Sequence, residues 1–176
     1  IDWILSDSKR QNSLEVQITA AEILQAAGLA AAESGDAAKA NDLLREATSG
    51  RKGTAVIWGW GNIANRLARQ GLGGTDVKAQ QNRDAFFEAR LRVVEGLLAR
   101  ARLPGKEADR GKRLETAKTA IAMTRKLYPD MGGDAFAKRY ERLLKEVQRE
   151  QGEEPTGFST LDAEPAAAAT PNPETP

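Results

Sequence analysis

Apolar residues in this chain recur at spacings of three and four, in runs too long for strands, and glycine, proline or serine closes each run. That pattern restricts the chain to packed helices. A period of 3.6 puts such residues on one helix face, and runs beyond about ten residues exceed the usual strand. Six runs are legible. The first starts at Asn12, where Asn12 and Glu15 have the N-cap and N3 spacing of a capping box. Leu14, Ile18, Ala21, Leu24, Gly28 and Ala31 follow in helical register. Ser34, Gly35 and Asp36 interrupt them. Gly35 suits a left-handed turn and Asp36 the next N-cap. The second run ends near Ala47, before Ser49 and Gly50. Thr54 is expected to cap a third helix over 55–70, with Val56, Trp60, Ile63 and Leu67 as its buried stripe. Gly59 and Gly61 within it each cost about 1 kcal/mol relative to alanine, which implies close approach by a neighbouring backbone.

The fourth run, 78–103, has a seam of Phe87, Leu91, Val94, Leu98 and Ala101. Phe86, Val93 and Leu97 form a second line beside it. Two lines predict packing against more than one neighbour. Pro104 and Gly105 stop the run. The fifth, 110–128, carries Leu114, Ala117, Ile121, Thr124 and Tyr128, and Pro129 with Gly132 and Gly133 turns the chain. Asp134 is expected to cap the sixth, which carries Phe136, Tyr140, Leu143, Leu144 and Val147. Abundant Ala, Leu, Arg and Glu favour the same helical reading, because these side chains lose little freedom in a helix.

The chain has no cysteine and no histidine. Thiolate nucleophiles, thiolate zinc sites and histidine bases are therefore excluded. Carboxylates remain, but DMGGD at 130–134 lacks the spacing of a calcium loop, and Asp134 reads as a cap. The strings GWG and GLGG lack a phosphate-loop frame. The expectation is a protein that is not an enzyme, with no metal, no cofactor and no small-molecule substrate. No run of about 18 apolar residues occurs, so no transmembrane helix is expected. The sequence begins at Ile1 rather than Met, which suggests a removed leader or a piece of a longer protein. A cytoplasmic and an exported location both remain open.

Charge is unevenly distributed. Residues 1–50 carry 4 basic and 8 acidic side chains, 51–149 carry 22 and 11, and 150–176 carry none and 6. The pattern fits a solvated helical surface, or a basic face that meets an acidic partner, the chain's own tail included. Nucleic acid is disfavoured. Arg83, Arg90, Arg92, Arg100, Arg102, Arg110, Lys112 and Arg113 do not share one face, Arg90 and Arg92 lying about 200° apart around a helix. From Gly152 the sequence turns acidic and rich in Pro and Ala, too poor in apolar surface to offset its ordering entropy. The domain reading is an N-terminal extension over 1–11, with Trp3, Ile4 and Leu5 as a small apolar cluster, a helical domain over 12–151, and an extended tail over 152–176.

One face of the third run stands out. Trp58, Asn62, Asn65 and Arg69 share it, with Arg66 beside them. A tryptophan on a polar face is either covered by the next helix or available as a binding anchor.

Residues 21–54 resemble a tetratricopeptide (TPR) hairpin, a family that uses about 34 residues per repeat. Leu24 matches the large residue early in the family's first helix, and Gly28 its close-packing glycine. Gly35 and Asp36 fall in the interhelical turn. Ala40, Leu44 and Ala47 match the small–large–small pattern of the second helix. Ala31 stands where the family has tyrosine, and Lys52 where it has the closing proline. LETAKTAIAMTRKLYP is similar to a second such helix through Ala117, Ile121 and Pro129, with Thr124 in place of the later alanine. The strings IWGWGNIA, FFEARL and LYPDMGG resemble strings in large bacterial TPR-containing proteins, a likeness that implies no activity.

The resemblance implies an all-α fold of about six helices, stacked as antiparallel hairpins in a short TPR-like solenoid. The function expected is a protein–protein interaction module or scaffold that binds another protein through a partner patch of Trp58, Asn62, Asn65, Arg66 and Arg69. A second expectation is a structural subunit that assembles with copies of itself through its tail and solenoid ends. Nucleic-acid binding by the basic middle is a lesser alternative.

Overall fold

The computed structural model describes residues 1–53, 55–105 and 107–163, without the side chains of Trp3, Ile4 and Ala163. The helices are α1 (Asp2–Leu5), α2 (Ser8–Gln11), α3 (Leu14–Glu33), α4 (Ala37–Ser49), α5 (Gly59–Gln70), α6 (Val77–Ala101), α7 (Glu107–Leu127), α8 (Asp134–Gln151) and α9 (Phe158–Ala163). Among the described residues the fold is all-helical. The one β feature is an isolated antiparallel bridge between Arg51 and Ile57.

Two expected caps shift by one residue. Ser13, not Asn12, caps α3, its hydroxyl accepting from the Val16 N–H at 3.4 Å. Asn12 instead ends α2 and donates to the Ser8 carbonyl. Asp134 is the first residue of α8 and not its cap, a position that Gly133 takes. A carboxylate in the first turn still complements the helix dipole. Asp36 caps α4 as expected, accepting from Lys39 N–H at 3.0 Å. The expected cap Thr54 lies outside the described residues, as does the tail over 164–176.

The third helix starts at Gly59, four residues later than the periodicity predicts. Two glycines explain the delay. Gly50, with φ 87°, ends α4, and Gly59, with φ 68°, begins α5. A Cβ on Gly59 would stand 2.3 Å from the Gly50 nitrogen. The two backbones therefore touch, and the segment between them loops out through the Arg51–Ile57 bridge instead of continuing as helix.

Consecutive helices pack together from α3 to α8, and next-but-one neighbours pack in three cases: α3 on α5, α4 on α6 and α6 on α8. α5 and α7 scarcely touch. Helix α4 sits close to its neighbours because they offer glycine. A Cβ on Gly28 of α3 would meet Leu44 at 2.8 Å, and one on Gly96 of α6 would meet the Thr48 hydroxyl at 2.4 Å. Leu24, Ala40, Leu44, Ala47, Ala117 and Ile121 are all buried, as their register predicts, whereas Pro129 is exposed just beyond α7. Both lines of α6 find partners, and Phe86, Phe87, Leu91, Val94, Leu98 and Ala101 are buried.

The string LYPDMGG forms a turn that seats on aromatic rings. Phe86, Phe87 and Tyr128 pack edge to face with centroids 5.1–5.6 Å apart. Phe87 lies directly under Gly132, where a Cβ would come within 2.4 Å of the ring. Met131 beside it is fully buried. Edge-to-face geometry suits the ring quadrupole, and such pairs contribute about 1 kcal/mol beyond burial.

The first part of the expected tail is not extended. Residues 153–163 fold back on α7 and α8 and include the short helix α9.

Candidate interaction groove

The candidate patch on α5 divides into separate roles. Trp58 precedes the helix and is 8 % exposed, so it is not the open anchor its spacing allows. The Arg66 guanidinium lies 3.6 Å from its ring centroid, a cation–π contact. Asn62 donates to the Trp58 carbonyl at 2.7 Å and holds the entry to the helix. Asn65 and Arg69 are exposed and stay open to solvent. Trp60, Ile63 and Leu67 are buried as expected, and Val56 is half-buried in the preceding loop.

Asn65 borders a groove. Because α5 and α7 scarcely touch, a recess of about 170 Å³ opens between them, floored by α6. Gly61, Ala64 and Asn65 line it from α5, Arg90 and Val93 from α6, and Ala120 from α7. Three of these six residues are glycine or alanine, so another backbone could approach closely. Arg90 is the one charged group in the lining, and it is held in place. Its Nε donates to Thr124 Oγ1 at 2.9 Å, and its guanidinium lies 5.6 Å from the Phe86 ring centroid. Thr124 is fixed in turn by its bond to the Ala120 carbonyl at 2.7 Å. A second, apolar recess of about 320 Å³ lies between the first residues and α3, lined by Ile1, Leu5, Val16 and Ile23 among others.

A polar network that periodicity does not reveal runs between the helices. Gln25 of α3 is buried, accepts from the Trp60 indole N–H at 2.6 Å and donates to Glu95 at 3.4 Å. Glu95 pairs with Arg92 at 3.1 Å, and Glu88 accepts from Arg92 and Arg139. Four elements, α3, α5, α6 and α8, are joined this way. Gln17 and Gln25 share the α3 face of Ala21 and Leu24. Their register was the available signal, although their polarity hid it.

Glu88 titrates below its ordinary value of 4.5. Burial alone would raise it, but the Arg139 hydrogen bond and charge, with Arg92, outweigh that. A depressed folded value stabilises fully above the unfolded value and loses its effect as pH falls through the folded one. Denaturant midpoints should therefore drop as pH falls below 4.5. Glu88→Gln should be less stable near neutrality and should flatten that drop. An unchanged profile would show that the pair does not contribute.

Five of the eight basic residues singled out between 83 and 113 pair with an acid of the same chain. Arg83 meets Asp130, Arg92 meets Glu88 and Glu95, Arg102 and Arg110 meet Glu150, and Arg113 meets Asp109. Arg100 donates to Asn41. Asp130 is thus an ion-pair partner of Arg83. Among the described residues no group of three or more Asp or Glu is placed to hold a metal ion, and no helix is long and apolar enough to cross a membrane. Comparison with family models, curated proteins and solved structures gave no match to this chain.

Proposed function

We propose that the chain is a non-catalytic protein-interaction module built of stacked TPR-like hairpins, and that the groove between α5 and α7 holds an acidic, extended segment of another protein. The observation that carries this reading is a small-residue groove with a single, prepositioned arginine. Small side chains let a bound backbone come close. A guanidinium suits a carboxylate, which it can meet with two hydrogen bonds. The exposed Asn65 amide offers both a donor and an acceptor to a passing backbone.

Three further facts support the reading. Contacts between neighbours and next-but-one neighbours are what stacked hairpins produce. Gly28 meets Leu44 at the helix crossing, where the family resemblance puts a close-packing glycine. Thr124, in place of an alanine, is the residue that fixes Arg90. Internal pairing of most arginines argues against a phosphate-tracking face.

Selection of a random peptide library on the immobilised chain tests the proposal. Acidic, extended sequences should be retained. Ala120→Trp fills the groove from α7 and should weaken their binding roughly tenfold or more, about 1.4 kcal/mol. Circular dichroism checks that the helices persist. Unchanged retention by a folded variant would reject the groove.

A further inference from the structure

Two large apolar side chains stand in the open beside the groove. Among the described residues the exposed large hydrophobics are Ile23, Leu29, Val77, Met123 and Leu127. Scattered exposures of this kind are ordinary on a folded surface. Ile23 and Leu29, six residues apart on α3, point about 120° away from each other, and Val77 stands alone at the start of α6. Met123 and Leu127 differ. They lie one turn apart on α7 and are 44 % and 57 % exposed.

Their register puts them on the groove side of α7. Ala120 lines the groove, and Met123 and Leu127 follow it at i+3 and i+7, the spacing of a shared face. The opposite side of α7 is occupied, because Lys118 and Arg125 meet Glu153 and Asp162 there. Helices α6 and α7 run antiparallel: Arg83, Arg90 and Arg100 of α6 bond in turn to Asp130, Thr124 and Arg113. Leu127 is therefore level with Phe86, one turn or about 6 Å beyond Arg90 along the floor. The earlier part of the same strip is polar, with Lys112, Thr116 and Thr119 all exposed. The α7 wall thus changes from polar to apolar as it passes Arg90.

We propose that the groove recognises two features of its partner segment together, an acid on Arg90 and a large apolar side chain, two or three residues away, that covers Met123 and Leu127. This second anchor rests on the reading of the groove as the site of an acidic, extended segment. The spacing follows from the chain's own dimensions. Every second side chain of an extended segment falls on one face, about 6.6 Å along, which matches the step from Arg90 to the level of Leu127. The occupant is that same segment because the apolar pair continues the groove wall, so a chain lying past Arg90 runs over it. Covering the pair removes apolar surface from water, and the unbranched methionine adapts to the shape it meets.

Selection of the random peptide library on three forms of the full chain tests the second anchor. On the unaltered chain, retained peptides should carry Leu, Met, Phe or Trp two or three residues from the acid. Met123→Gln with Leu127→Gln should keep the preference for acid, lose the apolar preference and weaken a selected peptide about tenfold. Arg90→Gln should do the converse. Acidic peptides retained without an apolar preference overturn the second anchor and leave the groove standing. Neither preference on the unaltered chain overturns the groove and the anchor together. Methionine methyl signals give a second readout, since the chain has two methionines and Met131 is fully buried. A selected peptide should move the Met123 signal and leave that of Met131 in place. A Met123 signal that moves instead with the concentration of the chain alone shows cover by a second copy, and the anchor fails.

Discussion

Gly59→Ala should cost about 3 kcal/mol and lower the melting temperature by roughly 10 °C. Two effects add. At φ 68° a side chain is strained in the left-handed region, and the new Cβ would stand 2.3 Å from the backbone nitrogen of Gly50. Backbone cannot turn aside as a flexible side chain can. Gly105 provides the control, because its φ is 69° and nothing lies within 4 Å of its Cβ position. Gly105→Ala should therefore cost only the conformational part, about 1 kcal/mol. Thermal unfolding of the two variants separates conformation from contact. Equal losses would mean that the ends of α4 and α5 do not meet as described.

Gln17→Met should be almost as damaging, at about 3 kcal/mol, although it conserves volume. Gln17 is fully buried and serves three backbone groups. Its Nε2 donates to the carbonyls of Gln11 and Val56 at 2.9 and 2.8 Å, and its Oε1 accepts from the Trp58 N–H at 2.9 Å. A thioether leaves all three without that partner; the Trp58 N–H is buried and the two carbonyls are half-buried, and a buried group left unsatisfied costs about 1–3 kcal/mol. The partners are main chain, so no second substitution can remove them. Denaturant unfolding reads the loss, and faster hydrogen exchange at the Trp58 amide localises it. A loss below about 1 kcal/mol would show that water replaces the glutamine.

The contrast between these residues shows what sequence could and could not provide. Gly59 was recognisable as a close approach because glycine is costly inside a helix. The helix start was misplaced, because periodicity continues through Val56 while the backbone does not. The bridge between Arg51 and Ile57, and the bonds from Gln17, override local propensity there. The seams of α6, α7 and α8 were legible because long helices repeat one register many times. Gln17 and Gln25 escape a hydropathy pattern because a buried amide looks polar in it, and all their partners but Gln11 lie 35–70 residues away.

The candidate site was legible in part. Asn65, on the face that the spacing singles out, lines the groove. Whether Trp58 is covered or open stays undecided in the sequence, and the cover comes from Arg66, about two turns further on. Arg90 and Thr124 were visible only as one arginine among many and a departure from an alanine position. Their pairing depends on the packing of α6 on α7, which no local pattern encodes. The folding-back of 153–163 escaped composition for a similar reason. Its anchors are single residues, Gly157, Phe158 and Asp162, spread through an otherwise polar stretch.

Where a selected peptide sits decides whether the groove between α5 and α7 is the binding site. Amide chemical shifts should be recorded while an acidic peptide selected on the chain is titrated in. The largest changes should fall at Gly61, Ala64, Asn65, Arg90, Val93 and Ala120, with the α7–α8 face around Gln148 unmoved. Changes centred on the recess near Ile23, or on Gln148, would contradict it.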